Sequence, residues 1–262
     1  MKPQSDVSAE IGQLPTYSYQ KNLFPIDIAV TYPNDQGTAD LSVIGTGADG
    51  RDYAIKTIAD GNGFVPITEL FCYELARALS IATPEFQIVK LKTHELAFGS
   101  VWEGGAGITK TLPDMLKILK GELPVRNLKA LLSKVYAFDL FVNNIDRHFG
   151  NFLFRTSYRE NIGLAFDFGR SWYEISPYDF QALEPHNNTN KYHLYAKHFK
   201  RYDRELASNT LTEISKIEQD TILQILSMAP SEWLSTEDKD KFVNWWGSSD
   251  MIERINKLKG EL

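Results

Sequence analysis

Asn144-Ile145-Asp146-Arg147-His148-Phe149-Gly150-Asn151, followed by Ala165-Phe166-Asp167-Phe168-Gly169, decides how this chain is read. It sets the carboxylates of Asp146 and Asp167 and the carboxamide of Asn151 in two short segments, each after an apolar run. Residues 128–142 carry the spacing of a long buried helix, and 152–154 and 163–166 are short strand candidates. Asp146 and Asn151 therefore sit on a loop leaving a buried helix, and Asp167 follows a strand end. Two adjacent strand ends would present all three oxygen groups to one cleft.

Phosphoryl transfer is the chemistry such a set suits. One carboxylate orients the attacking hydroxyl and accepts its proton, oxygen ligands hold Mg²⁺ against the phosphates, and a cation steadies the nucleotide. Mg²⁺ takes few protein oxygens beside waters and phosphate oxygens, and an Asn–Asp pair supplies them. Taken singly, each segment has a plainer reading. Asn and Asp crowd into turns for capping reasons, and Asp-Phe-Gly is a common tripeptide. Together, in this order after a long helix, they favour transfer chemistry.

Upstream the chain is rich in strand signals. Residues 26–32 alternate and are β-branched; 41–44 and 53–58 follow, with Asp49-Gly50 joining the second candidate to the third as a hairpin. Residues 66–79 turn helical, with Leu70, Phe71, Leu75 and Leu79 on one face and Pro66 suited to the first turn. Strand candidates 86–91 and 96–102 come next, and Gly104-Gly105-Ala106-Gly107 reads as a hinge. Beyond it the chain is mainly helical, with a long amphipathic stretch over 211–228 and a charged one over 236–259, where Gly247-Ser248-Ser249 is a candidate break. Lys56 lies on the third strand candidate, the place for a phosphate-facing cation, with Glu69 as its expected partner and Glu74 second. Gly45-Thr46-Gly47-Ala48-Asp49-Gly50 satisfies Gly-x-Gly-x-x-Gly, but it joins the second and third strands rather than the first and second. A hairpin turn is the better reading, and which loop covers the phosphates stays open.

The Asp146-Arg147-His148-x-x-Asn151 order resembles the catalytic loop of HipA-like kinases, and also that of phosphoinositide and related lipid kinases. Residues 68–76 resemble the corresponding helix of HipA-like kinases, which favours Glu69. The resemblance runs from about residue 43 to 172 and is strongest over 139–169. It implies an α+β, bilobal protein-kinase-like fold, with a small five-stranded antiparallel lobe carrying one helix and a mainly helical large lobe. On that division residues 1–24 are a strap or tail, 25–103 a nucleotide-binding small lobe and 104–262 the catalytic large lobe. It implies ATP and Mg²⁺, and transfer of the γ-phosphate to a serine or threonine hydroxyl of a protein substrate. Asp146 and His148 are then the catalytic residues, Lys56 and Glu69 attend the nucleotide, and Asn151 and Asp167 hold the metal.

Bulk properties bound the rest. The chain has 262 residues, 43% hydrophobic and 12% aromatic, enough to bury a core and too few for several modules. A net charge of −6 speaks against bulk nucleic-acid binding. Cys72 is the sole cysteine and reads as a buried apolar residue in a reducing compartment. No run approaches the ~18 apolar residues of a membrane span, and the first residues lack an apolar signal core, so a cytoplasmic protein is expected. Asp139 is expected to be a buried hydrogen-bonding group. Arg147 and Arg170 either engage phosphate or fold back as ion pairs. Residues 186–198, a cluster of Asn and Lys after Asp-Phe-Gly, either shape the acceptor site or form a solvated loop, and the loop is the favoured reading. Other readings are a small-molecule or lipid acceptor, transfer of the nucleotide moiety, or a nucleotide-binding pseudokinase or interaction module. The intact set of Lys56, Asp146, Asn151 and Asp167 argues against the last.

Overall fold

A computed structural model describes residues 24–33, 43–102, 112–157 and 160–262. The expected strap up to residue 23, the junction after residue 33, the start of the second strand at 41–42 and the glycine hinge at 104–107 lie outside the described residues.

Five strands open the fold: β1 (Ile26–Pro33), β2 (Val43–Gly47), β3 (Asp52–Lys56), β4 (Phe86–Lys90) and β5 (Leu96–Val101). They pair in the order β1-β2-β3-β5-β4 and close into a barrel, which corrects the expectation of a wholly antiparallel sheet. Every pairing is antiparallel except the closing one, where Ile26 and Asp27 of β1 run parallel to Val89 and Lys90 of β4. Parity explains it. Directions that alternate around a ring of five must leave one neighbouring pair pointing the same way. Strand twist and the register shift between Ile28 and Val30 of β1 curl the sheet until its edges meet, so neither edge is left unpaired.

The barrel is narrow, and that accounts for the glycine pattern. Ile28, Tyr53, Ile55, Val89 and Ala97 fill its interior. A Cβ on Gly45 would lie 2.6 Å from Ile55 Cδ1 and 2.8 Å from Ile28 Cγ2, and one on Gly47 would lie 2.9 Å from the Tyr53 ring. Those glycines make room for the interior. Gly50, at φ +77°, turns the β2–β3 hairpin.

Helix α1 (Val65–Ala78), begun by Pro66, is buried along most of its length. It packs on β5 and also meets the C-terminal helices, where Phe71 stacks on Trp172 at 4.2 Å and meets Phe242 edge-on at 5.3 Å. Cys72 on this helix is fully buried beside Ser171 Oγ, and burial pushes its thiol well above the usual range.

The remaining elements are α2 (Leu112–Lys120), α3 (Leu128–Phe141), the hairpin β6 (Phe152–Ser157) and β7 (Glu160–Ala165), α4 (Trp172–Ile175), α5 (Asn188–His198), α6 (Arg204–Ser215), α7 (Gln219–Ser227), α8 (Thr236–Trp245) and α9 (Ser249–Glu261). The stretch expected as one helix over 211–228 is interrupted between α6 and α7. Ile217 stays buried across the break, so the apolar spacing runs on, and Trp246 Nε1 donates to its carbonyl at 2.6 Å. Gly247, at φ +78°, ends the α8 segment, and the Ser248 hydroxyl caps α9. Residues 188–198, expected as loop, are helical: Asn187 caps α5 by accepting from Asn190 N–H, and Thr189, His193 and Ala196 are buried. Among the described residues no helix is long and apolar enough to cross a membrane.

Candidate active site

Four segments converge on one cluster. Lys56, at the end of β3, donates from Nζ to Glu69 Oε1 at 2.6 Å and to Asp167 Oδ1 at 2.5 Å. Glu69 Oε1 also accepts from Phe168 N–H at 3.0 Å, so α1 is tied to the segment after β7. Asp167 Oδ2 accepts from Asn151 Nδ2 at 3.0 Å, and Asn151 Oδ1 accepts from His148 N–H at 2.9 Å. A continuous chain of bonds thus joins Glu69, Lys56, Asp167, Asn151 and His148. Glu74 does not compete, because it pairs with Arg77 at 3.1 Å.

The charges set the electrostatics. Burial lowers the Lys56 pKa, but the carboxylates of Asp167 and Glu69 outweigh it and hold the ammonium above its ordinary range. Burial raises the Asp167 carboxyl, yet Lys56, Arg147 and His148 pull it down further, below the usual carboxylate value. Glu69 is nearly inaccessible, and burial moves it up; its Oε2 is buried with no hydrogen-bond partner. One cation faces two carboxylates, so the cluster suits further positive charge. Among the described residues no group of three or more His, Cys, Asp or Glu side chains could hold a metal. The Asn151–Asp167 pair instead offers the few hard oxygen donors that a Mg²⁺ sharing phosphate and water ligands needs.

Asp167 takes this place at φ +59°, a left-handed conformation uncommon outside glycine. Its neighbour Phe168 is the anchor. That ring is fully buried, meets Tyr73 and Phe138 edge-on at 5.7 and 5.4 Å, and lies 4.5 Å beneath the Arg147 guanidinium.

The loop leaving α3 is held from below. Asp139 is fully buried and accepts from Arg147 Nε and Nη2 at 2.9 and 3.0 Å and from Asn144 Nδ2 at 2.8 Å. Arg147 Nη1 donates to the carbonyls of Phe166 and Asn151, linking the loop to both ends of the β6–β7 hairpin. Arg147 therefore folds inward as an ion pair, whereas the Arg170 side chain is exposed. His148 Nδ1 accepts from Gly150 N–H at 3.0 Å and caps the short turn Phe149–Asn151 that presents Asn151.

Asp146 sits on the same loop, half-buried. Its N–H donates to Asn144 Oδ1 at 3.0 Å, and its Oδ1 accepts from Asn188 Nδ2 at 2.5 Å. Asn188 opens α5 and was not singled out from the sequence; a run of Asn at 187, 188 and 190 was its signal. Glu174 left no signal. Its carboxylate accepts from Asn62 N–H at 2.6 Å and Phe64 N–H at 3.2 Å, clamping the turn that leads into α1, and a Cβ on Gly61 would fall 2.1 Å from Glu174 Oε1.

A model of the HipA-like kinase family matches residues 29–258. No curated protein matches the chain by sequence. Among solved structures, the Helicobacter pylori proinflammatory kinase CtkA is similar with a TM-score of 0.52 and 15% identity, over 91% of this chain and 95% of that one. HipA of Shewanella oneidensis MR-1, solved with HipB and operator DNA, gives 0.49 and 15%, over 82% of this chain and 60% of that one. At this identity the likeness to CtkA is one of fold. The match across most of the sequence is to the family itself, and the chain belongs to the HipA-like kinases.

Proposed function

We propose that this protein is an ATP- and Mg²⁺-dependent kinase that phosphorylates a serine or threonine hydroxyl of a protein substrate. The observation that carries this reading is Lys56 held between Glu69 and Asp167, with Asn151 bonded to the same aspartate. On this reading residues 25–103 form the nucleotide-binding lobe and 104–262 the catalytic lobe.

Asp146 orients the acceptor hydroxyl and takes its proton. The acceptor oxygen then bonds the γ-phosphorus, the bond from that phosphorus to its bridging oxygen breaks, and ADP leaves with the electron pair. Lys56 neutralises phosphate charge and Glu69 fixes its position. Asn151 and Asp167 would hold Mg²⁺, which neutralises charge on the phosphates when bound; the bond from Asn151 Nδ2 to Asp167 is the contact it would replace. His148 enters as the brace of the turn that presents Asn151. Little covalent work falls to the protein, and positioning and electrostatics carry the rate.

Incubation with Mg²⁺ and ATP followed by intact-mass measurement tests the reading. A gain of one phosphate, or phosphate transfer to an added protein, is expected from the wild type and not from Asp146→Ala, which still binds nucleotide. A gain of a whole nucleotide marks nucleotide transfer instead. Phosphate transfer retained by Asp146→Ala sinks the assignment.

A further inference from the structure

The first turn of α5 is written Asn187-Asn188-Thr189-Asn190, and each side chain has its own task. Asn187 accepts from Asn190 N–H and donates to the carbonyls of Gln181 and Ala182. Thr189 Oγ1 donates to the Asn144 carbonyl at 2.6 Å and accepts from Arg147 N–H at 3.0 Å. Asn190 donates to the carbonyls of Ala182 and Glu184 and accepts from Tyr136. Three of the four side chains thus serve the cap, the backbone and a structural tyrosine. The Asn188 side chain spends its bond on a functional carboxylate, Asp146 Oδ1.

Bonds to the backbone already hold α5 against the loop, since Asn188 N–H also donates to the Ile145 carbonyl at 3.1 Å. Thr189 and the Asn188 N–H tie α5 to this loop through its backbone, whereas the Asn188 side chain reaches the Asp146 carboxylate. It fixes one oxygen of Asp146. Among the described residues the other oxygen, Oδ2, takes no hydrogen bond, and a half-buried carboxylate held at one oxygen presents the second in a fixed direction.

We propose that Asn188 is a positioning residue for phosphoryl transfer: its amide holds Asp146 Oδ1 and so aims Oδ2 at the acceptor hydroxyl. This rests on the reading of Asp146 as the carboxylate that orients that hydroxyl. The neutral amide suits the task, because it donates to the carboxylate and, unlike a lysine or arginine, leaves its charge in place for the acceptor's proton.

Turnover is measured as ADP formed at saturating Mg²⁺ and ATP, beside ATP KM and melting temperature. Asn188→Ala is expected to lower kcat about tenfold to a hundredfold, the scale of a misplaced catalytic group, with ATP KM unchanged. Asn188→Asp, which sets a like charge against Asp146, falls at least as far. Asn190→Ala, which loosens the same turn without touching Asp146, lowers the melting temperature and leaves kcat within about twofold. A merely structural role for Asn188 would make the two alanine variants behave alike, and that result overturns the proposal. So does an Asn188→Ala enzyme with undiminished kcat. Turnover surviving in Asp146→Ala refutes the underlying reading instead. A readout independent of turnover is the side-chain amide NMR signal of Asn188, assigned by its loss in Asn188→Ala. It must shift in Asp146→Asn, and a signal that stays in place overturns the contact itself.

Discussion

Asp139→Asn is the most informative single substitution beneath the site. The wild-type carboxylate is fully buried and receives Arg147 through two charge-assisted bonds of 2.9 and 3.0 Å. The guanidinium is itself buried. Burial would favour its loss of charge, but Asp139 outweighs that and holds Arg147 above its ordinary pKa. Asparagine keeps the shape, removes the charge and turns one acceptor into a donor against Arg147 or Asn144. Hydrogen bonds to charged groups contribute about 1.5–3 kcal/mol each, and breaking a buried pair by removing one partner costs about 3–5 kcal/mol. The two bonds give about 3–6 kcal/mol and the stranded charge about 3–5 kcal/mol, so we take a loss of about 3–5 kcal/mol. At roughly 2–4 °C per kcal/mol for large domains, the melting temperature should fall by about 6–20 °C. Urea unfolding followed by circular dichroism measures the free-energy loss, and a thermal melt the temperature shift. Asp139→Leu with Arg147→Met together should cost less than Asp139→Asn alone, because no charge is then stranded. The double variant should still fall below wild type, since the Phe166 and Asn151 carbonyls lose their donor. A loss under about 1 kcal/mol for Asp139→Asn, or a double variant that costs the sum of its parts, refutes the reasoning.

Two further predictions concern charge elsewhere. Burial first, and Lys197 second, lower His193 from 6.5 to about 3, so between those values the unfolded chain binds a proton that the folded chain does not. The stability this supplies is fully present above about pH 6.5 and drains as pH falls; from pH 7 to 5 it amounts to about 2 kcal/mol. In His193→Phe, which keeps the stack on Tyr136, urea midpoints should lose that share of the acid dependence; an unchanged pH slope counts against it. Lys56→Met leaves Glu69 and Asp167 without their shared cation and should destabilise the fold by about 3–5 kcal/mol. Millimolar Mg²⁺ should raise the melting temperature of that variant more than that of the wild type, and an equal response speaks against a cation site at Asp167.

The sequence made the Lys56–Glu69 pair legible because strand order put the lysine beside a helix, and the spacing on that helix offered two glutamates. Asp167 is marked by the short apolar strand before it, and Asn151 by its place five positions after Asp146 on the loop leaving the buried helix. Closure of the barrel was not, since it depends on Ile26 and Asp27 meeting Val89 and Lys90, residues without a local signal for one another. The α6–α7 break was hidden by Ile217, which preserves the apolar spacing while the backbone turns. Helix α5 carries too weak an apolar stripe to announce itself; its cap and its buried Thr189, His193 and Ala196 set it. Asn188 and Glu174 act on partners 42 and 112 positions away, and no short-range pattern encodes such a distance.

Those separations bear on how the protein comes to exist. Lys56 meets Asp167 across 111 residues, Glu69 meets Phe168 across 99, and Asn62 meets Glu174 across 112. The barrel and α1 precede Asp167 in the chain, and until Asp167 is made the lysine has Glu69 alone for company. Loops of this length close slowly, and domains made from the N-terminus onward assemble in that order. The cluster therefore cannot close on the ribosome until the β6–β7 hairpin and Asp167 after it have been made.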